Sequence, residues 1–71
     1  MTLSHSVIEL PSDWSNALLN GDYSTLDSAD SIACSQKHAE LTRQGWAIAS
    51  IEDNYYSRAQ QRNMSVYRII R

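Results

Sequence analysis

A cysteine and a histidine four residues apart are the side chains of this sequence best suited to chemistry. Cys34 and His38 would share one face of a helix, as a nucleophile and its base or two zinc ligands do. No third ligand, oxyanion-binding group or phosphate-binding glycine loop accompanies them. We therefore expect Cys34 to be a small buried residue and His38 to lie at the core margin. Neither an enzyme nor a bound metal or other cofactor is predicted.

Charge is distributed unevenly along the chain. Residues 1–36 hold five carboxylates and no Lys or Arg, whereas residues 37–71 hold all six basic residues against three carboxylates. The halves therefore carry about −5 and about +3, although the net charge is −2. Such a division bears on partners rather than on fold.

Most of the candidate acidic residues lie close to the starts of two predicted helices. The candidate partner-binding residues are Asp13, Asp22, Asp27, Asp30 and Glu40. Capping and the helix dipole also favour carboxylates at helix starts, so these residues have a structural explanation as well. The functional interpretation is a negative surface that imitates the phosphates of DNA. Its partner would be a host protein or ribonucleoprotein complex with a basic DNA-binding surface.

Basic and aromatic side chains in the C-terminal half support an alternative, direct binding of nucleic acid. The residues are Tyr55, Tyr56, Arg58, Arg62 and Arg68. Arginines contact phosphates, and aromatic rings stack on bases. With Arg71, the basic set comprises only four arginines in a net-acidic chain, which makes this the less favoured interpretation. The arginines could equally protect strand edges from pairing.

The apolar spacing predicts two helices, the first of about two turns. The helix that follows Pro11 has Ser12 as its N-cap and ends at Gly21. The second helix covers about 26–44 and ends at Gln44-Gly45, with Ser24 or Asp27 as its cap. Its inward face is predicted to carry Leu26, Ala29, Ile32 and Ala33, with Ala39 and Leu41 following loosely. Its exposed side is predicted to carry Asp27, Asp30, Ser31, Gln36, Lys37 and Glu40.

Alternating apolar residues predict strands at 46–52 and 64–70, paired antiparallel. Residues 53–63 are predicted to form a polar connection or the tip of a hairpin. Residues 6–10 are either an edge strand or an extended arm, since Pro11 favours extended backbone before it. The predicted fold is α+β: two helices packed on a small antiparallel sheet, in the order (β)-α-α-β-β, forming one domain over residues 1–71. With neither a signal peptide nor a membrane span expected, a cytoplasmic location is predicted.

The segment from Leu10 to Leu26 has the pattern LPxxWxxALxNGDxSxL, and Gly45-Trp46 begins a later strand. In these features, which cover about half of the chain, it resembles a set of very small proteins encoded by phages and mobile elements. The resemblance implies an accessory protein without catalytic residues, and such proteins include acidic anti-CRISPR inhibitors.

Three hypotheses follow. The first is a non-enzymatic inhibitor that binds a host defence complex in the host cytoplasm through its acidic surface. The second is a small regulator that binds nucleic acid. The third is a structural module that forms a homodimer through an open sheet edge.

Overall fold

The chain folds as two helices and a short 3-10 helix beside a three-stranded antiparallel sheet. A computed structural model describes residues 3–71. The elements in chain order are β1 (His5–Pro11), a 3-10 helix (Ser12–Trp14), α1 (Ser15–Asn20), α2 (Ser28–Arg43), β2 (Ala47–Ser57) and β3 (Arg62–Ile70). The predicted α+β class and element order are confirmed, and β1 is a strand rather than an arm. Neither helix in the described residues is long and apolar enough to cross a membrane.

The sheet has β3 in its centre, with the order β1-β3-β2. Ile8 lies opposite Tyr67 in the β1–β3 pair, and Asn54 lies opposite Ser65 in the β2–β3 pair. The pairing of β2 with β3 is irregular between Ile48 and Ser50 and again near Asp53. Such bulges strengthen the local twist of an edge strand.

The β2–β3 hairpin is longer than predicted. Residues 53–57 and 62–63 belong to its strands, and only residues 58–61 form the connecting turn. The prediction of a polar link over the whole of 53–63 is therefore wrong, although a hairpin tip was its stated alternative. Polar residues can remain in a strand here because the backbone ladder to β3 supplies the hydrogen bonds.

The core lies between the helices and one face of the sheet. It consists of Leu10, Trp14, Ala17, Leu18, Cys34 and Tyr67. Cys34 and Tyr67 are completely buried, as expected for Cys34. The Tyr67 hydroxyl donates a hydrogen bond to the backbone oxygen of Pro11 at 3.1 Å. This bond satisfies the buried Tyr67 hydroxyl and holds the end of β1 against β3.

The inward face of α2 differs from the prediction. Cys34 and Leu41, seven residues apart, are its buried residues, whereas Ile32 is 59% exposed. Ala29 and Ala33 are exposed as well, and Asp30 is half-buried. Ile32 and the alanines are apolar, but Cys34 is the residue that packs in the core. Because one turn takes 3.6 residues, a helix that buries Cys34 and Leu41 must turn Ile32 outward.

The ends of the helices agree with the prediction better than the inward face of α2 does. Gly21 (φ 73°) and Gly45 (φ 83°) both adopt the left-handed conformation expected of glycine at a helix stop. The Asp27 side chain caps α2 by accepting a hydrogen bond from the Asp30 N–H at 2.8 Å. Ser12 is not the N-cap that was predicted, because its hydroxyl is bonded to Ser65 instead.

Candidate functional site

Three of the predicted acidic residues meet around one arginine at the start of β3. Arg62 donates from Nη1 to Asp30 Oδ1 at 3.3 Å and from Nη2 to Asp30 Oδ2 at 2.9 Å. Its Nη2 is also 3.6 Å from Asp13 Oδ2. Asp27 lies close enough for its charge to raise the pKa of Arg62, after the larger contribution of the hydrogen bonds to Asp30. We call Asp13, Asp27, Asp30 and Arg62 the acidic cluster.

The acidic cluster keeps an excess of negative charge. Three carboxylates surround one guanidinium, and the Asp13 side chain is 74% exposed. The hydrogen bonds from Arg62 lower the pKa of Asp30 by favouring its ionised form. The buried indole Nε1 of Trp14 makes no hydrogen bond to any described residue. Three carboxylates and one guanidinium give the cluster a formal charge of about −2.

The other two predicted acidic residues are placed differently. Asp22 lies in the α1–α2 link, where its Oδ1 accepts a hydrogen bond from the Ser24 N–H at 3.0 Å. Hydrogen bonding by Ser24 lowers the pKa of Asp22. Glu40 is exposed near the other end of α2. Ten residues of helix separate it from Asp30, a rise of about 15 Å. The fold therefore keeps Glu40 apart from the acidic cluster.

The basic and aromatic residues of the alternative site are not brought together as one cationic surface. Arg62 is held by Asp30, and Arg68 Nε is 3.1 Å from Glu52 Oε1. The Tyr55 hydroxyl donates to Glu9 Oε1 at 2.5 Å, which raises the pKa of Tyr55. Three of the five predicted residues, Arg62, Arg68 and Tyr55, are therefore bound to carboxylates of the protein itself.

The remaining two residues, Tyr56 and Arg58, are exposed near the hairpin tip. Arg68 alternates with the buried Tyr67, so it lies on the sheet face opposite the helices. Tyr56 follows Asn54 by two residues, and Asn54 accepts a hydrogen bond from Ser65 on the helix side. Tyr56 and Arg68 therefore occupy opposite faces.

An open groove beside the hairpin tip was not predicted from the sequence. Its lining residues are Ser12, Asn54, Tyr55, Tyr56 and Asn63. Beneath it, the buried Ser65 hydroxyl donates to Asn54 Oδ1 at 2.5 Å and accepts from the Ser12 hydroxyl at 2.8 Å. The sequence signal that could have revealed it is the presence of Asn54 and Asn63 in strands, where asparagine is unfavourable.

The Cys34–His38 pair acquires no further chemical groups. Cys34 is buried, His38 is half-buried, and residues 3–71 contain no group of three side chains that could hold a metal ion. At the same end of the molecule as the α2 C-terminus, Arg71 stacks over the Trp46 ring at 4.3 Å. It also donates a hydrogen bond to the backbone oxygen of Gln44. This arginine therefore closes the end of α2 against the sheet.

Comparison of the chain with protein families, curated proteins and solved structures gives no match.

Proposed function

We propose that this protein is a non-enzymatic inhibitor that binds a basic surface of a partner protein or ribonucleoprotein through the acidic cluster and Asp22. The observation that carries the proposal is the convergence of Asp13 and Asp27 on the Arg62–Asp30 pair. These carboxylates come from the 3-10 helix, the α2 cap and the first turn of α2. One arginine balances only part of their charge.

The carboxylates are held in place before a partner arrives. Asp27 is fixed by the Asp30 N–H, Asp22 by the Ser24 N–H, and Asp30 by Arg62. Charged groups that are already ordered lose less conformational entropy on binding than mobile ones. Fixed negative charges at a protein surface also resemble the phosphates that a nucleic-acid channel attracts. The surface is therefore suited to occupy such a channel.

The resemblance to small phage and mobile-element proteins supports the choice of partner. A host defence complex in the bacterial cytoplasm, such as a CRISPR surveillance complex, must bind DNA through a cationic groove. An acidic inhibitor seated in that groove competes with DNA for the same cations. Association between the two is steered by charge and weakens as salt rises.

The test compares two triple variants that remove the same charge from different places. The first variant, D13N/D22N/D27N, neutralises exposed carboxylates of the proposed surface, and asparagine preserves the backbone hydrogen bonds at positions 22 and 27. The matched control, E9Q/E52Q/D53N, neutralises three carboxylates of β1 and β2. Each protein is expressed in bacteria carrying different CRISPR systems, and survival of a targeted plasmid is measured.

The wild-type protein and the control should protect the plasmid in at least one system, whereas D13N/D22N/D27N should lose protection. In that system, the affinity of the first variant for the purified complex should fall by about tenfold or more. Equal protection by both variants would contradict the acidic-surface mechanism. Absence of protection by the wild-type protein in every system would contradict the proposed inhibition of these complexes.

A further inference from the structure

The groove beside the hairpin tip lies outside the proposed acidic surface. On the side of the groove, the 3-10 helix reaches the sheet at Ser12, whose hydroxyl bonds to the buried Ser65. Beyond this point, Tyr56 and Asn63 form the next pair of the β2–β3 ladder on the helix side. Both are exposed. Tyr56 and Asn63 are therefore open to solvent, whereas Arg62 in the same part of the hairpin is paired with Asp30.

One hydrogen-bonding group of the groove is bonded within the protein, and others have no partner among the described residues. Asn54 Oδ1 is occupied by the Ser65 hydroxyl, which leaves the Asn54 amide N–H groups directed away from Ser65. Asn63 makes no side-chain hydrogen bond among the contacts of the described residues. The groove therefore offers carboxamide donors together with an acceptor. It contains no charged lining residue.

The Tyr56 ring supplies an apolar surface next to these groups. Tyr56 is 60% exposed, compared with 39% for the neighbouring Tyr55. Its hydroxyl makes no hydrogen bond to the described part of the chain. Exposed aromatic rings in strands stack on unpaired bases, and asparagine pairs bidentately with the donor and acceptor of adenine.

From these observations we propose that the groove binds a single unpaired adenine base, stacked on Tyr56 and hydrogen-bonded by Asn63 and Asn54. An uncharged, flat ligand with a hydrogen-bonding edge matches a lining of tyrosine, asparagine and serine. A long strand is disfavoured, because the chain carries a net charge of −2 and Asp13 is exposed next to Ser12.

The base could belong to a free nucleotide or to a single-stranded end. Arg58, two residues from Tyr56 in the turn, forms no ion pair with the described carboxylates and is available for one phosphate. This inference does not depend on the proposed inhibitor function, since the two use different side chains.

The test is a titration of the ¹⁵N-labelled protein, followed by amide chemical shifts in NMR spectra. Adenosine and AMP should move the signals of residues 54–56 and 63, with dissociation constants on the order of 1 mM or below. Ribose 5-phosphate should leave them unmoved, and cytidine should bind more weakly than adenosine. A short oligoadenylate should bind through the same residues if its end is accessible.

Variants separate stacking from general effects on the hairpin. Y56A should weaken adenosine binding by about tenfold or more, and N63A by about fivefold or more. Y56T keeps a strand-favouring residue and should weaken binding equally, which covers the case in which Y56A disturbs the fold. I32A is the matched control: Ile32 is 59% exposed on α2 and lies outside the groove, so its truncation should leave binding unchanged.

Three outcomes would overturn the proposal. Adenosine and AMP could fail to shift these signals at about 10 mM, well above the expected dissociation constant. Ribose 5-phosphate could reproduce the shifts, which would assign the binding to phosphate. Finally, Y56A and Y56T could bind adenosine as tightly as the wild-type protein.

Discussion

Arg62 and Asp30 form a two-pronged hydrogen-bonded ion pair across 32 positions of the sequence. The pair joins the first residue of β3 to the first turn of α2. The two side chains are 31% and 24% exposed, so water screens the pair only in part. Because the planar guanidinium is bound through two nitrogens, the relative orientation of the two side chains is also fixed, which a single contact would not achieve. The pair thereby helps to set which face of α2 meets the sheet.

Replacement of Arg62 by methionine should destabilise the protein. Arg62→Met keeps much of the aliphatic stem but leaves Asp30 half-buried without its cation, at a cost of about 1–2 kcal/mol. Urea denaturation followed by circular dichroism measures the free energy of unfolding. Arg58→Met is the control, because Arg58 has no ion pair with the described residues; its effect should stay within about 0.5 kcal/mol. Equal effects of the two substitutions would show that the pair does not stabilise the fold.

The contribution of Asp30 to the free energy of unfolding should depend on pH. Its pKa in the folded protein lies below the ordinary value of 3.8, so folding favours the ionised carboxylate. The stabilisation is therefore complete above the unfolded pKa and is lost as the pH falls through the folded pKa. The difference in unfolding free energy between the wild-type protein and D30N should be largest near about pH 6 and shrink towards about pH 2. A difference that does not change with pH would exclude this linkage.

Substitution of Gly21 should be costly for conformational reasons alone. Its φ of 73° lies in the left-handed region, whereas a Cβ added there would meet no atom within 4 Å. We expect Gly21→Ala to lower the free energy of unfolding by about 1 kcal/mol. Gly21→Asn should cost less, since asparagine tolerates this conformation better than alanine. Thermal or urea unfolding of both variants checks the order, and an alanine variant as stable as wild type would contradict it.

The thiol of Cys34 should report on unfolding. Cys34 is completely buried, and this burial raises its pKa, so the native protein presents little reactive thiolate. A thiol reagent should modify it rapidly in urea and slowly in buffer. The rate in buffer should rise about tenfold for each 1.4 kcal/mol of destabilisation, as in Arg62→Met. Rapid modification of the stable wild-type protein would show that local opening exposes Cys34.

Local signals in the sequence account for most of the element boundaries. Gly21 and Gly45 terminate helices because few other residues accept a positive φ, and Asp27 caps α2 with its own side chain. The hairpin partners could be predicted from alternation. Each of these signals acts within a few residues, which is why they can be recognised without knowledge of the tertiary structure.

The errors arose where distant contacts override local preference. Ser12 has the side chain of an N-cap, yet its hydroxyl bonds to Ser65, 53 residues away. The rotation of α2 depends on Cys34 packing in the core with Tyr67 and on Asp30 meeting Arg62. The acidic residues could be named from the sequence, but their convergence on Arg62 could not. The groove was missed because its lining residues come from three separate segments.

The order of strands in the sheet has a consequence for the kinetics of folding. Both edge strands pair only with β3, the last strand along the chain. The residues of β1 are more than fifty positions away from their partners in β3. A ladder with such high contact order forms slowly, since the chain entropy of a large loop is lost before any pair is gained. Refolding should therefore be limited by the docking of β1, while the β2–β3 hairpin forms early.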